Sequence, residues 1–449
     1  MHEHVKAHAA GETVTHASLL KIAVPITLSN ATVPLIGYVD TAVIGQLGQA
    51  HLIGAVGIGG VIFSVLYWTF SFLRMGTTGL TAQAYGARDG REIAGHLLRA
   101  LGAAVVFGGV LVILQGPIAK AAFWLIGPSR EAEAAAQTYF SIRIWAAPAG
   151  LVNFALLGWY IGLGRAGVAF FVQLVINVLN MVLAILFVLW LGGGVAGVGY
   201  AALIAECAGA VLGLVIALRI AREMGASAPL ADGLDWLKMK RSLGINADLT
   251  VRAVGHYSAI MFFTAQGAAG GDVILAANAI LMTLINIMVY LLDGFAFAAE
   301  SLVGRAVGAR DKRSFWRAVL LSTEWAGVLA VLIGGGLWFA GPAIIELTAK
   351  SAEVQQAAGT YLMWAAIAPM LGVWCFQLDG IFTGATRTRD MRNTMVLSLI
   401  PFFAVWWLLA PHFGNHGLWA AFMVFYVARA SSLLAFMPAL VRASFPEKV

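Results

Sequence analysis

Asp40 is the residue whose setting most needs a chemical explanation. It stands well inside an apolar stretch, after Pro25 and Pro34. If that stretch lies in lipid, a carboxylate there is costly and is kept for a function or a partner. Desolvation favours the neutral form of a carboxyl group. Such a group can bind and release a proton within one cycle. The competing assignment is a structural aspartate paired with a neighbouring helix. The two prolines remove backbone donors and can bend the segment. A bend that follows the protonation of Asp40 would be a switch, although membrane helices also carry prolines for ordinary packing reasons.

Asn177 and Asn180 stand three apart, on one face of a helix. Each can donate to a carboxylate or accept from a protonated one, and each can equally serve as glue between helices. Tyr38 is a further polar group close to Asp40. The second half of the chain has its own acids. Asp293 and Glu300 are seven apart, hence on one face two turns from each other, and with Asp379 they form a candidate ion site. Ion pairs with Arg74, Arg305 or similar residues are the competing assignment. Asp248 and Arg252 have i,i+4 spacing and are expected to pair with each other. Glu206 and Arg143 read as structural. Phe63, Tyr67 and Phe70 recur at i, i+4, i+7. They are a candidate wall for a flat cationic substrate, with a packing or lipid-facing stripe as the plainer alternative. No metal site is expected: Cys207 and Cys375 lie inside apolar segments, and His2, His4, His8 and His16 match no ligand spacing.

These residues are carried by an unusually apolar chain. Of 449 residues, 60% are hydrophobic and 11% charged, with a mean hydropathy of +0.85. Soluble domains carry about 25% charged residues, so lipid is the solvent that suits this composition. Stretches long enough to cross a bilayer, roughly 20 residues each, recur near 19–47, 52–80, 95–117, 137–163, 168–191, 195–218, 243–268, 274–303, 316–339, 357–384, 394–412 and 417–440. The expectation is an all-α membrane protein of twelve spans: a cytosolic tail over 1–18, a first lobe over 19–218, a polar linker over 219–242, a second lobe over 243–440 and a tail over 441–449. With the N-terminus in the cytosol, nineteen Lys and Arg fall on the inner side and only Lys120, Arg130 and Lys350 on the outer. The positive-inside rule then puts both termini in the cytosol. The net charge of +6 does not indicate nucleic acid, because the basic residues are scattered between apolar segments.

The two halves match at a constant offset of 222 residues. Gly86-Ala87-Arg88-Asp89 recurs as Gly308-Ala309-Arg310-Asp311, and Ala135-Ala136-Gln137-Thr138-Tyr139 as Ala357-Ala358-Gly359-Thr360-Tyr361. Gly158, Gly162 and Arg165 recur as Gly380, Gly384 and Arg387. Asp40 falls opposite Phe262, so the duplicated scaffold does not itself require an acid. Six spans per half is an even number, so both halves enter the membrane from the same side. Their pseudo-twofold axis then runs along the membrane normal, a plan of secondary transporters with the substrate held between the halves.

The stretch from Val33 to Leu47, Val-Pro-Leu-Ile-Gly-Tyr-Val-Asp-Thr-Ala-Val-Ile-Gly-Gln-Leu, resembles the first helix of the MATE (multidrug and toxic compound extrusion) transporters. The strings Asp-Val-Ile-Leu-Ala-Ala-Asn-Ala at 272–279, Asp-Gly-Phe-Ala at 293–296 and Ala-Ala-Glu-Ser-Leu-Val-Gly at 298–304 resemble the DinF-like branch, as does the run from Leu378 to Arg389. The resemblance covers nearly the whole chain. It implies a V-shaped pair of six-helix lobes and cation- or proton-coupled efflux of organic, often cationic, compounds, with the aspartate at Asp40 as the coupling residue. Many DinF-like relatives have an aspartate where this chain has Ala184 and a threonine where it has Ala202. Their loss removes two oxygen ligands and favours protons over sodium.

The resulting expectation is a monomeric, multi-pass antiporter of the cytoplasmic membrane. It takes small organic substrates, binds no nucleic acid, needs no cofactor beyond the proton gradient and is not an enzyme. Neither a His-Glu metalloprotease string nor a Walker loop is present. Sodium-coupled efflux and a flippase for a lipid-linked precursor are the alternatives. Few arginines within the spans and a lone deep aspartate favour a cationic cargo over the flippase. The topology is directly testable. Cysteines placed at Gly48 or Gly414 should react with an impermeant thiol reagent from outside, and cysteines at Gly90 or Asp232 only from inside. Labelling of both sets from one side would overturn the twelve-span arrangement.

Overall fold

A computed structural model describes residues 14–229 and 235–446. His2, His4 and His8, the end of the C-terminal tail and part of the linker lie outside these residues. The described chain is helical and contains no strand. Its elements are α1 (His16–Gly45), α2 (Ala50–Thr69), α3 (Phe72–Gly86), α4 (Gly90–Ile113), α5 (Gln115–Ile126), α6 (Arg130–Arg143), α7 (Ala147–Gly162), α8 (Ala166–Ile185), α9 (Gly194–Glu223), α10 (Trp236–Ala269), α11 (Asp272–Gly308), α12 (Lys312–Thr348), α13 (Ala352–Gly384), α14 (Thr388–Phe413) and α15 (Asn415–Ser444). A short 3-10 turn joins α6 to α7, and a π turn follows α8.

Among the described residues, eleven stretches are long and apolar enough to cross a membrane; α2 with α3 forms one, and α6 with α7 another. The expected seventh span is α10. It is 34 residues long but carries Lys238, Lys240, Arg241, Asp248 and Arg252, which lower its hydropathy.

The chain divides into two compact units. The N-terminal unit takes in the described residues from Leu28 to Ser242, and the C-terminal unit takes in those up to Thr27 and from Leu243 onward. The continuous helix α1 therefore serves both. Its first part joins the C-terminal unit, where Thr27 Oγ1 donates to the Leu291 carbonyl at 3.2 Å.

The 222-residue offset persists in the backbone. Arg88 and Arg310 adopt φ of 58° and 55°, a region L-residues rarely enter. Each is followed by an aspartate whose N–H returns to a helix carbonyl, Asp89 to Ala84 and Asp311 to Ala306. Both aspartates then cap the next helix: Asp89 accepts from Glu92 N–H, and Asp311 from the N–H groups of Arg313 and Ser314. These hydrogen bonds, with that of the Ser314 hydroxyl, hold the Asp311 carboxyl below its ordinary range.

The repeated glycines make the same helix crossings. A Cβ on Gly158 would lie 2.4 Å from the Arg74 carbonyl oxygen, and one on Gly380 would lie 2.3 Å from that of Ala296. Gly162 and Gly384 meet the carbonyls of Thr78 and Glu300 in the same way. In each unit, backbone approach of this kind is available only to glycine, as in other membrane helix pairs. Gly158→Ala and Gly380→Ala should therefore lower the melting temperature sharply, through roughly 2 kcal/mol of overpacking. Gly57→Ala and Gly335→Ala, with nothing within 4 Å, should be neutral or mildly stabilising. Thermal melts of the four purified variants check the contrast.

Candidate functional site

Asp40 lies in the part of α1 that belongs to the N-terminal unit, and it is 3% exposed. Its Oδ1 is buried and, among the described residues, has no hydrogen-bond partner. The cation that acts on it electrostatically is Arg143, from the end of α6. Arg143 makes no contact ion pair with it. The Arg143 guanidinium donates to the Tyr139 hydroxyl, lies 4.7 Å from the Phe63 ring centroid and 5.4 Å from that of Tyr139. It also acts on Glu206 of α9. Glu206 accepts from Asn153 Nδ2 at 2.7 Å. One guanidinium thus serves two carboxylates, with the Tyr67 hydroxyl in the same electrostatic neighbourhood, buried and without a hydrogen-bond partner.

The residues expected to support Asp40 divide. Asn177 is fully buried but donates to Thr32 Oγ1 at 2.7 Å and accepts from Gln173 at 2.8 Å. It ties α8 to α1 two turns before Asp40. Asn180 is 5% exposed, and its Oδ1 is also buried without a partner. Tyr38 is 74% exposed. The backbone of α1 stays helical through both Pro25 and Pro34. Ala184 and Ala202 are buried and offer no side-chain oxygen.

The C-terminal unit has a counterpart to Asp40 and Asn180. Their partners at the repeat offset are Phe262 and Phe402, whose rings meet at 5.7 Å. Phe262 also packs edge-on against Phe403 and Trp406. Where the second half has an aromatic contact, the first has two polar side chains with unpartnered oxygens.

The aromatic stripe of α2 points into the protein. Phe63 is 1% exposed and packs on Phe140 and Tyr139. Tyr67 lies against Phe63 and Phe154. Phe70, past the end of α2, packs on Phe72 and Phe107.

In the C-terminal unit, Asp379 Oδ2 accepts from Arg429 Nη2 at 2.6 Å and from Arg252 Nη1 at 3.1 Å. Arg429 is 2% exposed, with the Phe376 and Phe425 rings 5.9 and 5.5 Å away. Glu300 is 1% exposed, and Asp293 interacts electrostatically with Tyr257 and Tyr290. The expected pairing of Asp248 with Arg252 does not form. Asp248 instead binds Arg392 at 2.7 Å and the Thr388 hydroxyl at 3.2 Å. Contacts between helices outcompete the local i,i+4 spacing, and each side chain takes the opposite charge its own face meets: Asp248 takes Arg392 of α14 and Arg252 takes Asp379 of α13.

Arg143, Glu206 and Arg429 are the residues that sequence reasoning undervalued. Arg74, Arg99 and Arg429 are all under 9% exposed, so more arginines are internal than the segment boundaries suggest. An arginine within a span needs an anionic or hydroxyl partner, and that requirement was the available signal.

The MatE family model matches residues 25–186 and 251–408. The chain belongs to the MatE family. It is a multi-pass membrane transporter of that family. It is 39% identical over 426 residues to the DNA damage-inducible protein F of Escherichia coli K12, covering 94% of this chain and 92% of that protein. It is 28% identical to a probable multidrug resistance protein NorM of Caulobacter vibrioides, covering 70% of this chain and 68% of the relative. Among solved structures, MATE in the bent conformation aligns with a TM-score of 0.86 at 20% identity, covering 95% and 96% of the two chains. An outward-facing multidrug resistance MATE transporter aligns with a TM-score of 0.86 at 18% identity, covering 96% of each. These likenesses place the MatE chain in that fold.

Buried Asp40 and half-buried Asp379 should respond oppositely to neutralisation. Asp379→Asn removes the counter-charge of buried Arg429 and half-buried Arg252 and should cost about 3 kcal/mol, read as a large fall in melting temperature. Asp40→Asn removes an incompletely bonded carboxylate and should leave the melting temperature within a few degrees of wild type.

Proposed function

We propose that this MatE protein is a proton-driven antiporter that exports organic, cationic or amphipathic compounds by alternating access, with Asp40 as the proton carrier. The observation that carries the reading is the buried Asp40 oxygen without a hydrogen-bond partner. The Phe262–Phe402 contact in the other unit supports placing Asn180 beside Asp40. Two unpartnered acceptor oxygens in one niche lack a donor. A proton on Asp40 supplies one, since a protonated carboxyl donates and the Asn180 carbonyl accepts. Deprotonation leaves an anion that attracts a cationic cargo, so the two ligands compete for one charge.

Sodium fits the niche less well. It wants several oxygens, whereas Ala184 and Ala202 offer none and Asn177 is engaged with Thr32 and Gln173. The buried arginines do not argue for an anionic cargo. Arg252 and Arg429 both bind the Asp379 carboxylate, and Arg143 serves Tyr139, Asp40 and Glu206. The printed description of the Caulobacter relative as a multidrug resistance protein agrees with a drug-like organic cargo. In this reading the protein works as a monomer in the cytoplasmic membrane, with both termini in the cytosol, and needs neither a resident cofactor nor nucleic acid.

The test is transport per folded molecule in proteoliposomes, with a panel of labelled organic cations. Wild-type export should follow an imposed pH gradient and collapse with a protonophore at fixed sodium. Asp40→Asn should fold, insert and lose proton-driven export, while Asp40→Glu retains part of it. Full turnover per folded Asp40→Asn molecule across the pH range would end the proposal. Export that follows sodium and ignores the pH gradient would assign the coupling to sodium.

A further inference from the structure

The C-terminal unit contains a cavity of about 640 Å³ between α12, α13 and α15, away from the residues discussed above. Its walls are almost wholly apolar, with Trp316, Trp374 and Met437 among them. Four lining residues break that pattern: Lys312 at the start of α12, Thr323 further along it, Arg442 near the end of α15, and Gln377 inside α13. Lys312 and Arg442 are exposed and have no ion-pair partner among the described residues. Gln377 is 1% exposed, and both its amide nitrogen and its amide oxygen are buried without a hydrogen-bond partner among the described residues. A side-chain amide stripped of water and left unbonded costs about 1–3 kcal/mol. Such a group calls for a ligand.

The order of these groups along the helices identifies the chemistry. Lys312 and Arg442 mark the helix ends at one membrane surface. Gln377 lies seven residues inside the end of α13 at Gly384, about 10 Å deeper at the helical rise. Exposed Trp316, about one turn in from Lys312, suits the interfacial zone between. From surface to depth the sequence is two cations, then an amide, then apolar wall. An anionic phospholipid presents a phosphate, then ester carbonyls, then acyl chains in that same order.

We propose that this cavity binds one anionic phospholipid. Its phosphate is held by Lys312 and Arg442, an ester oxygen accepts from the Gln377 amide, and an acyl chain lies along the apolar wall. Basic pockets between membrane helices bind anionic headgroups in this manner. Exposed cations with no carboxylate partner among the described residues supply the charge complementarity, and a zwitterionic lipid would satisfy them less well.

The experiment is native mass spectrometry and thermal melting of the full-length protein in detergent, titrated with phosphatidylglycerol or phosphatidylcholine. Wild type should retain one phosphatidylglycerol in preference to phosphatidylcholine and melt at a higher temperature with it. The double variant Lys312→Gln with Arg442→Gln should lose about tenfold of that preference. Arg313→Gln, one position along but outside the cavity, should keep it. Gln377→Leu should melt no lower than wild type without lipid, because it removes an unbonded amide, and should lose most of the lipid-induced shift. Equal retention of both lipids by wild type overturns the proposal. So does a preference unchanged in the double variant, or a full lipid-induced shift in Gln377→Leu. A detergent or fatty acid held in the cavity in place of phosphatidylglycerol also overturns it.

Discussion

Charge inside a low-dielectric body must be answered by charge or by hydrogen bonds, and the interior of this protein is organised around that rule. Asp379 answers two arginines, and Asp248 answers Arg392. These networks are saturated at the oxygens they use, and they lock α10, α13, α14 and α15 to one another. Asp40 differs. Arg143 acts on it electrostatically while donating elsewhere, and one carboxylate oxygen is left over. A saturated acid has no reason to change its protonation state. An incompletely satisfied one does.

Duplication explains why the two units share a frame and not a function. The backbone features that repeat at 222 residues are those that set helix ends and crossings: the positive φ at Arg88 and Arg310, the aspartate caps, and the glycines pressed against a carbonyl of the neighbouring helix. None of them carries chemistry. The residues proposed to carry it have diverged at the same offset, with Asp40 and Asn180 in one unit and Phe262 and Phe402 in the other. A packed aromatic pair stabilises its niche permanently. A pair of acceptor oxygens is stable only when a donor arrives.

Much of this was readable before any coordinates. Eleven of the spans follow from hydropathy, the repeat from spacing, and the burial of Asp40 from its place inside an apolar stretch. The pairing of Asp248 with Arg392 was not readable, because it joins positions 144 residues apart. It depends on which faces of α10 and α14 meet. Arg143 was hidden for a related reason. Its partners come from α1, α2 and α9 as well as its own helix, and no local pattern brings them together. Phe63 read equally well as a cargo wall or as packing, since periodicity gives a face and leaves open what the face meets.

The split of α1 between the units means that, under the proposed proton-carrier role, Asp40 acts on more than its own niche. Thr27 is fixed to the Leu291 carbonyl of the C-terminal unit, while Thr32, five residues on, is held by Asn177 in the N-terminal unit. Asp40 lies on the same continuous helix, about two turns beyond Thr32. A change in the bonding of Asp40 therefore alters a helix already anchored in both units, without a separate relay. Pro25 and Pro34 lie on either side of the two anchors, each lacking the N–H that would stiffen the helix there. The helix that carries Asp40 is thus also one whose backbone hydrogen bonding is interrupted at two prolines, close to both anchors.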